Sequence, residues 1–448
     1  MRIAYITAGA AGMYCGSCLH DNTLAAALQR AGHDVALIPT YTPVRTDEVD
    51  VSIDRVFFGA LNVYLEQKAR LFHYMPRPLH WLLDRPRLLD FIGRLAGSSA
   101  TQGRDLGALT LSVLQGEDGR QRRELEELTA WLRDDFQPEI VHITNSMFLG
   151  FARTLKRDLG VPVLCSVQGE DIFLDELVEP YRTMVRDEIR RHSNDVDAFV
   201  ATSRYYAEHM RGELGADPER MRIVQLGITL QGHDQAPQRE EGPLRIGFLA
   251  RQCPEKGLHL LLEAFHALCA RVGQQEVRLL VAGYLGKRDE GYVADLRRRA
   301  ERWGIADRVE WLGEVDREGK MQFFHDIDIF SVPTAYRESK GLSILEAMAS
   351  GVPVVQPAHG IFPEYVHCTG GGLLVPPDSP EALADGLLQL VREPAQRAEL
   401  GHNGREAVHR HFSDDAMAAA TLHEYERALG LAASEARPEP APTPTTTS

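Results

Sequence analysis

Cysteine is scarce in this chain: six in 448 residues. That is too few for a disulfide framework, so a reducing compartment is expected. Basic charge is short as well, with 49 Lys and Arg against 64 Asp and Glu and a net charge of -15. General nucleic-acid binding relies on basic surface to displace counterions, and this balance excludes it. No apolar run approaches the ~18 residues needed to span a bilayer. The opening Met1-Arg-Ile-Ala-Tyr-Ile-Thr7 turns glycine-rich after one strand's length, unlike the apolar core of a secretory leader. With 44% apolar and 25% charged residues, the composition is that of an ordinary globular protein, expected in the cytoplasm.

What is present is a regular alternation. Short runs rich in Val, Ile and Leu predict strands at Ile3–Thr7, Val35–Pro39, Ile140–Ile143, Val161–Val167 and Ala198–Thr202. A second series follows at Leu244–Ala250, Val277–Gly283, Val309–Leu312, Ile327–Val332, Val352–Gln356 and Leu373–Val375. Helix-period stretches such as Asn22–Ala31, Glu124–Asp134 and Leu258–Val272 lie between them. Continuous rather than alternating apolar strands mark parallel sheets covered on both faces. A chain of this length exceeds one compact core. The polar, Pro- and Gly-bearing segment 236–243 reads as the linker between two doubly wound α/β domains, 1–235 and 244–410. A closing helix is expected within 411–432, with Met417, Leu422, Tyr425 and Leu429 on its apolar stripe. The Pro- and Thr-rich tail, 433–448, is too polar to order.

One region breaks the alternation. Residues 56–116 lack clear strands, and between 68 and 94 six basic residues are interleaved with Leu71, Phe72, Trp81, Leu82, Leu88 and Phe91. The segment suits either an irregular helical insertion packed over the first sheet or an amphipathic surface facing an acceptor or a membrane.

The chemistry-bearing residues concentrate in the second half. In Glu338-Ser-Lys-Gly-Leu-Ser-Ile-Leu-Glu346 two carboxylates flank Gly341, just after a buried-strand pattern. Glu338 then falls in a strand-to-helix loop and Glu346 about one turn into the helix. Two acceptors and a helix N-terminus would face one crevice, as a phosphorylated, polyhydroxylated ligand requires. A solvated loop residue and an exposed helix residue are the alternative. Arg251-Gln-Cys-Pro-Glu-Lys256-Gly257 leaves the first strand of the second domain. A guanidinium and an ammonium there suit a diphosphate, unless they merely decorate an exposed loop.

Arg251, Lys256-Gly257, Glu338-x7-Glu346 and Ala347-Met-Ala-Ser-Gly-Val-Pro-Val-Val355 together resemble the retaining family-4 glycosyltransferases of GT-B fold. Ala31-Gly-His-Asp-Val35 and Gly371-Gly-Leu-Leu-Val-Pro376 extend the resemblance, and Phe58-Gly-Ala-Leu-Asn-Val-Tyr64 is similar to the glycogen and starch synthases. The resemblance implies two Rossmann-like domains facing across a cleft, the first for the acceptor and the second for a nucleoside-diphosphate sugar. It implies that the final helix crosses back to the first domain.

It also implies roles. Arg251 and Lys256 would bind the diphosphate and stabilise its developing charge. Gly341 and Leu342 would complete the phosphate cradle, Glu338 would hold sugar hydroxyls, and Glu346 would accept from the ribose. Backbone near Gly283 and Val315 would contact the base, and the glycine-rich loop Gly9-to-Gly16 would approach the donor. No metal and no cofactor are implied. The expected reaction is transfer of a hexose, with retention, to a hydroxyl of a glycan or lipid-linked acceptor, with a peripheral membrane contact through 68–94 at the inner membrane face. An epimerase acting on the sugar nucleotide, or a non-catalytic protein that binds it, is the alternative.

Two features depart from the family. Many members carry a histidine near the donor sugar where this chain has Gln168. That residue is expected at the catalytic centre and can hydrogen-bond a sugar hydroxyl, though an amide exchanges no proton. Glu170 and Asp171 are the nearest carboxylates, either positioning the acceptor hydroxyl or capping the next helix. Cys15-x2-Cys18 is also unusual; it is read as reduced thiols in a tight loop, with a redox switch or half a metal site as the alternative.

Overall fold

The computed structural model describes residues 1–9, 16–58, 103–233, 242–272 and 277–431. The linker expected at 236–243 falls mostly outside these residues. The basic and aromatic segment 68–94, Cys15 and the tail 433–448 lie wholly outside them. The described chain divides into two units: Met1–Gly227 together with the helix Asp414–Ala428, and Ile228–Ser413.

In the first unit β1 (Arg2–Thr7), β2 (Asp34–Pro39), β3 (Ile140–Ile143), β4 (Val163–Val167), β5 (Ala198–Ala201) and β6 (Met221–Ile223) form one parallel sheet in the order β2-β1-β3-β4-β5-β6. Successive side chains on a strand point to opposite faces, and both faces here are apolar. Ala4 and Ile6 pack with Ala36, Ile38, Val141 and Ile143 on one side. Ile3 and Tyr5 pack with Val35, Leu37, Ile140 and Leu164 on the other. Burying each large side chain contributes about 1.5–3 kcal/mol, which is why the strands read as unbroken apolar runs.

The second face is closed by Leu24 and Leu28 of the helix Gly16–Arg30 and by Met417, Ala418 and Tyr425 of the helix Asp414–Ala428. Arg30 reaches Asp414 at 2.6 Å and Asp415 at 2.9 Å, and Tyr425 Oη lies 2.7 Å from His142 Nδ1. Burial holds the His142 imidazole down to a pKa of about 3, so it is neutral in this contact. Met417 and Tyr425 are buried as the stripe predicts, whereas Leu422 packs only at the margin.

The second unit repeats the plan with β7 (Leu244–Leu249), β8 (Val277–Ala282), β9 (Val309–Gly313), β10 (Ile329–Phe330), β11 (Val354–Pro357) and β12 (Gly372–Val375), ordered β12-β11-β10-β7-β8-β9. The chain starts mid-sheet at β7, runs outward through β8 and β9, then returns to β10 on the other side. The strand order therefore reverses between β7 and β10, and in the first unit between β1 and β3. In open α/β sheets such reversal points, at the carboxyl ends of the strands, are where ligands bind.

Strand limits shift by one or two residues from the sequence expectation, and two differences have clear causes. β10 keeps only Ile329–Phe330 of the expected Ile327–Val332, because the Ser331 hydroxyl turns to the Val355 carbonyl and Pro333 follows. β6 is absent from the sequence reading. It is a three-residue edge strand, Met-Arg-Ile, without full burial, and has no apolar run to show.

Candidate functional site

At the β7/β10 reversal two loops meet. The loop after β7 ends at Gly257, whose φ is 72°, and a β-carbon there would sit 1.7 Å from the Pro333 carbonyl oxygen. Only glycine permits that approach. The Ala335 N–H donates to the Glu255 carbonyl at 2.9 Å and fastens the loops together. Lys256 Nζ thereby reaches Glu338 Oε2 at 2.5 Å and the Tyr336 hydroxyl at 2.6 Å, and Tyr336 donates to the same Oε2 at 2.7 Å. The other carboxylate oxygen, Oε1, accepts from the Ser339 and Lys340 N–H groups.

Glu338 is 6% exposed. Burial alone would raise its pKa, but the Lys256 charge and the hydrogen bonds outweigh it and bring the pKa down to about 2. The loop is backed from behind: a β-carbon on Gly360 would lie 2.6 Å from the Glu338 backbone, and the Tyr365 hydroxyl donates to the Lys340 carbonyl. Arg251 lies in the loop after β7; its carbonyl accepts from the Cys253 N–H, and its guanidinium makes no hydrogen bond or ion pair to a described residue. Burial opposes its charge, yet Cys253, Tyr336, Glu255 and Asp289 nearby keep its pKa raised.

Gly341, at φ 62°, is the N-cap of the helix Leu342–Ala349, and it brings no side-chain cap to the first N–H groups. The Ile344 N–H is taken by the Gly341 carbonyl, and the Leu342 and Ser343 N–H groups are the ones left to an anion. Glu346 sits one turn on and is not simply exposed: Lys320 Nζ lies 2.6 Å from its Oε1, with both side chains largely buried. Gly283 follows β8 at φ 124° against the Ala250 carbonyl, and its own carbonyl accepts from Gln252 Nε2. Val315 follows β9, next to Asp316, which caps the helix Arg317–Asp326.

The structure thus sets Arg251, Lys256, Glu338, Gly341, Leu342, Glu346, Gly283 and Val315 on loops or helix starts at the carboxyl edge of one sheet. Tyr336 and Lys320 were missed by sequence reasoning. Tyr336 stands two residues before Glu338, but nothing local reveals that its hydroxyl joins a lysine 80 positions away.

In the first unit the residues gather around a different carboxylate. Asp21, in the helix Gly16–Arg30, is fully buried. It accepts from the hydroxyls of Tyr5, Thr7 and Thr144 and from Gln168 Nε2, with His20 Nδ1 at 3.1 Å. Burial pushes its pKa up, but His20 and the hydroxyls prevail and it lies below the ordinary aspartate value. Gln168 is buried, and its Nε2 donates to Asp21 and to Thr144 within this network.

Glu170 is likewise buried, accepting from Ser146 N and Oγ, Gln168 N and the Tyr206 hydroxyl. Its side chain does not cap the helix Asp171–Glu176. Asp171 is more open, bonded to the Tyr206 hydroxyl at 2.8 Å and paired with His209 at 3.3 Å. Gly16 begins the first helix, and Cys18 is a buried thiol. Among the described residues no group of three His, Cys, Asp or Glu could hold a metal ion.

Comparison with known proteins adds a further line. The glycosyl transferases group 1 model matches residues 232–407, and the glycosyl transferase 4-like domain model matches 22–227. A D-inositol 3-phosphate glycosyltransferase of Mycobacteroides abscessus is 32% identical over 410 residues, 85% of this chain and 87% of that protein. Other curated relatives are matched over as little as 52% of their length. Sucrose-phosphate synthase from Thermosynechococcus elongatus superposes with a TM-score of 0.68 at 19% identity, covering 96% of this chain and 99% of that one. HepE of Anabaena, in complex with UDP, gives 0.67 at 17% identity, covering 95% and 100%. At such identities the structural likeness concerns the fold.

Proposed function

The chain belongs to the family-4 glycosyltransferases of GT-B fold, and on that footing we propose that it moves a hexose from a nucleoside diphosphate to an acceptor hydroxyl with retention of configuration. The observation that carries this reading is the convergence of Arg251, the Lys256–Glu338 pair and the uncapped helix start at Gly341 on the strand-order reversal of the second unit.

The steps follow from the charges. As the glycosidic C–O bond breaks, its electron pair passes to the diphosphate oxygen. Arg251, Lys256 and the N–H groups from Leu342 onward are the groups to stabilise that charge. Glu338 serves the sugar hydroxyls and Glu346 the ribose, while backbone at Gly283 and Val315 meets the base. The acceptor oxygen attacks the face the diphosphate leaves, and its proton goes to a departing phosphate oxygen. Two cations and a helix N-terminus supply the compensation that a metal supplies elsewhere, so metal independence is part of the proposal.

Two carboxylates acting as acid and nucleophile would sit on opposite sides of one sugar at ~5 Å, whereas here each is paired with its own lysine. Gln168 acts by holding Asp21, and Asp171 is the carboxylate offered to an acceptor. The acceptor is a glycan or lipid-linked hydroxyl and the setting is cytoplasmic. No described helix is long and apolar enough to cross a membrane, and contact with the inner membrane face is assigned to 68–94.

The test is a screen of nucleotide sugars for transfer, with the anomeric configuration of the product read by NMR. Arg251→Ala, Lys256→Ala and Glu338→Ala are each expected to lower turnover about 10²–10³-fold. Wild-type turnover in all three would refute the donor site, and conversion of the sugar nucleotide without an acceptor product would make the protein an epimerase.

A further inference from the structure

The Glu338 carboxylate has no acceptor capacity to spare. An ionised carboxylate offers about four lone-pair positions. Oε1 takes the Ser339 and Lys340 N–H groups, both at 3.2 Å, and Oε2 takes the Tyr336 hydroxyl at 2.7 Å and Lys256 Nζ at 2.5 Å. A sugar hydroxyl can bond here only after one of these four leaves. The two N–H groups belong to a loop fixed from behind by Gly360 and Tyr365. The Tyr336 hydroxyl carries no charge, so a diphosphate draws it less than it draws an ammonium. Lys256 differs: it is a point charge on a flexible stem, 19% exposed, and it is the donor that a diphosphate attracts.

We propose that Lys256 is an exchangeable clamp: without nucleotide it closes on Glu338, the diphosphate of a nucleoside-diphosphate sugar draws it away, and the Oε2 position so opened takes a hydroxyl of the donor sugar while Tyr336 holds the carboxylate in place. This deepens the donor-site reading and rests on it. Diphosphate recognition and sugar recognition are then coupled, and the coupling is reciprocal. A nucleoside diphosphate alone must break the ion pair with nothing to replace it at Glu338, whereas the intact donor supplies the replacement. After transfer the sugar is gone, Glu338 retakes Lys256, and the product nucleotide is expelled. The clamp therefore favours substrate over product at the same subsite.

The test uses the full chain and titration calorimetry with UDP, GDP and ADP, carrying forward whichever binds the wild type. Glu338→Gln is expected to bind that nucleoside diphosphate about tenfold tighter, because Lys256 no longer has to be drawn off. The gain should vanish when Lys256→Met is already present, since it acts through that lysine. Equal gain in both backgrounds means Glu338 acts through its field alone, and overturns the clamp; so does an absence of gain in the first. If the variants do not fold, a crystal structure of the wild-type complex reads the exchange directly. Lys256 Nζ is expected on a phosphate oxygen and beyond about 4 Å from Glu338, outside ion-pair range. Lys256 still on Oε2 with the diphosphate bound overturns the clamp while leaving the donor site standing. Failure of all three nucleotides to bind the wild type overturns the donor site and the clamp with it.

Discussion

Each unit of the molecule places a buried, multiply bonded carboxylate at the point where its strand order reverses, yet the two are built to opposite ends. Around Asp21 the donors are three hydroxyls and an amide, with a histidine beside them, and no lysine or arginine among the described residues takes part. Tyr5 and Thr7 belong to β1, and Thr144 and Gln168 immediately follow β3 and β4. All four are thus held at the carboxyl ends of neighbouring strands. Around Glu338 one of four donors is an ammonium on a flexible stem. A carboxylate closed mostly by hydroxyls and an amide on strands or at their ends is a fastening. One closed partly by a removable cation is a place where a ligand can enter.

Breaking each carboxylate should separate these roles. Asp21→Ala leaves several buried donors without an acceptor at 1–3 kcal/mol apiece, so a loss of about 4 kcal/mol or more is expected in denaturant unfolding. Glu338→Gln keeps the shape but sets an NH2 group against two of the four donors and removes the charge opposite Lys256. Stability should fall by less than for Asp21→Ala, while transfer falls about 10²-fold or more. If Asp21→Ala proved as stable as the wild type and only inactive, the contrast between fastening and ligand site would collapse.

How much of this was legible follows the range of the interactions. The sheets were readable because burial on both faces leaves continuous Val, Ile and Leu runs, and a parallel α/β plan follows from their alternation with helical segments. β6 was not readable, because an edge strand of three residues needs no such run. Arg251, Lys256 and Glu338 stood out by their places beside strand ends, but the contact of Lys256 with Glu338 spans 82 positions and was invisible. Asp21 was missed for a different reason. A carboxylate in a helical stretch reads as a solvated residue, and only the fold brings Tyr5, Thr144 and Gln168 around it.

Acid should probe the buried histidines before the Glu338 carboxylate. His142 in the first unit and His233 in the second are both buried, and burial lowers each to about 3. A lowered histidine is neutral when folded and takes up a proton on unfolding once the pH is below its ordinary 6.5. Its stabilisation is therefore intact above pH 6.5 and declines as pH falls toward 3, by up to about 1.4 kcal/mol per pH unit for each ring. Glu338, lowered to about 2, contributes stability that is full above its ordinary 4.5 and is lost only as pH falls from there toward 2. Between pH 6.5 and 4.5 the histidines should dominate the loss. His142→Asn should flatten that part of the profile, measured by denaturant midpoint, and an unchanged slope would show that His142 is charged in the fold.

The smallest expected effect concerns the second carboxylate of the pair. Lys320 holds Glu346 at 2.6 Å on one oxygen, and unlike Lys256 it reaches across from a neighbouring helix, Arg317–Asp326, not from the loop beside the helix start. If Glu346 serves the ribose, Lys320 is a positioning residue that aims the carboxylate but touches no reacting atom. Lys320→Met preserves the stem's packing and removes the charge. Donor KM should rise severalfold, on the order of 1 kcal/mol, with kcat nearly unchanged, because uniform binding is lost and no interaction made only in the transition state goes with it. Lys320→Arg should recover most of the affinity. A fall in kcat at constant KM would instead put Lys320 with Lys256, on the diphosphate side of the site.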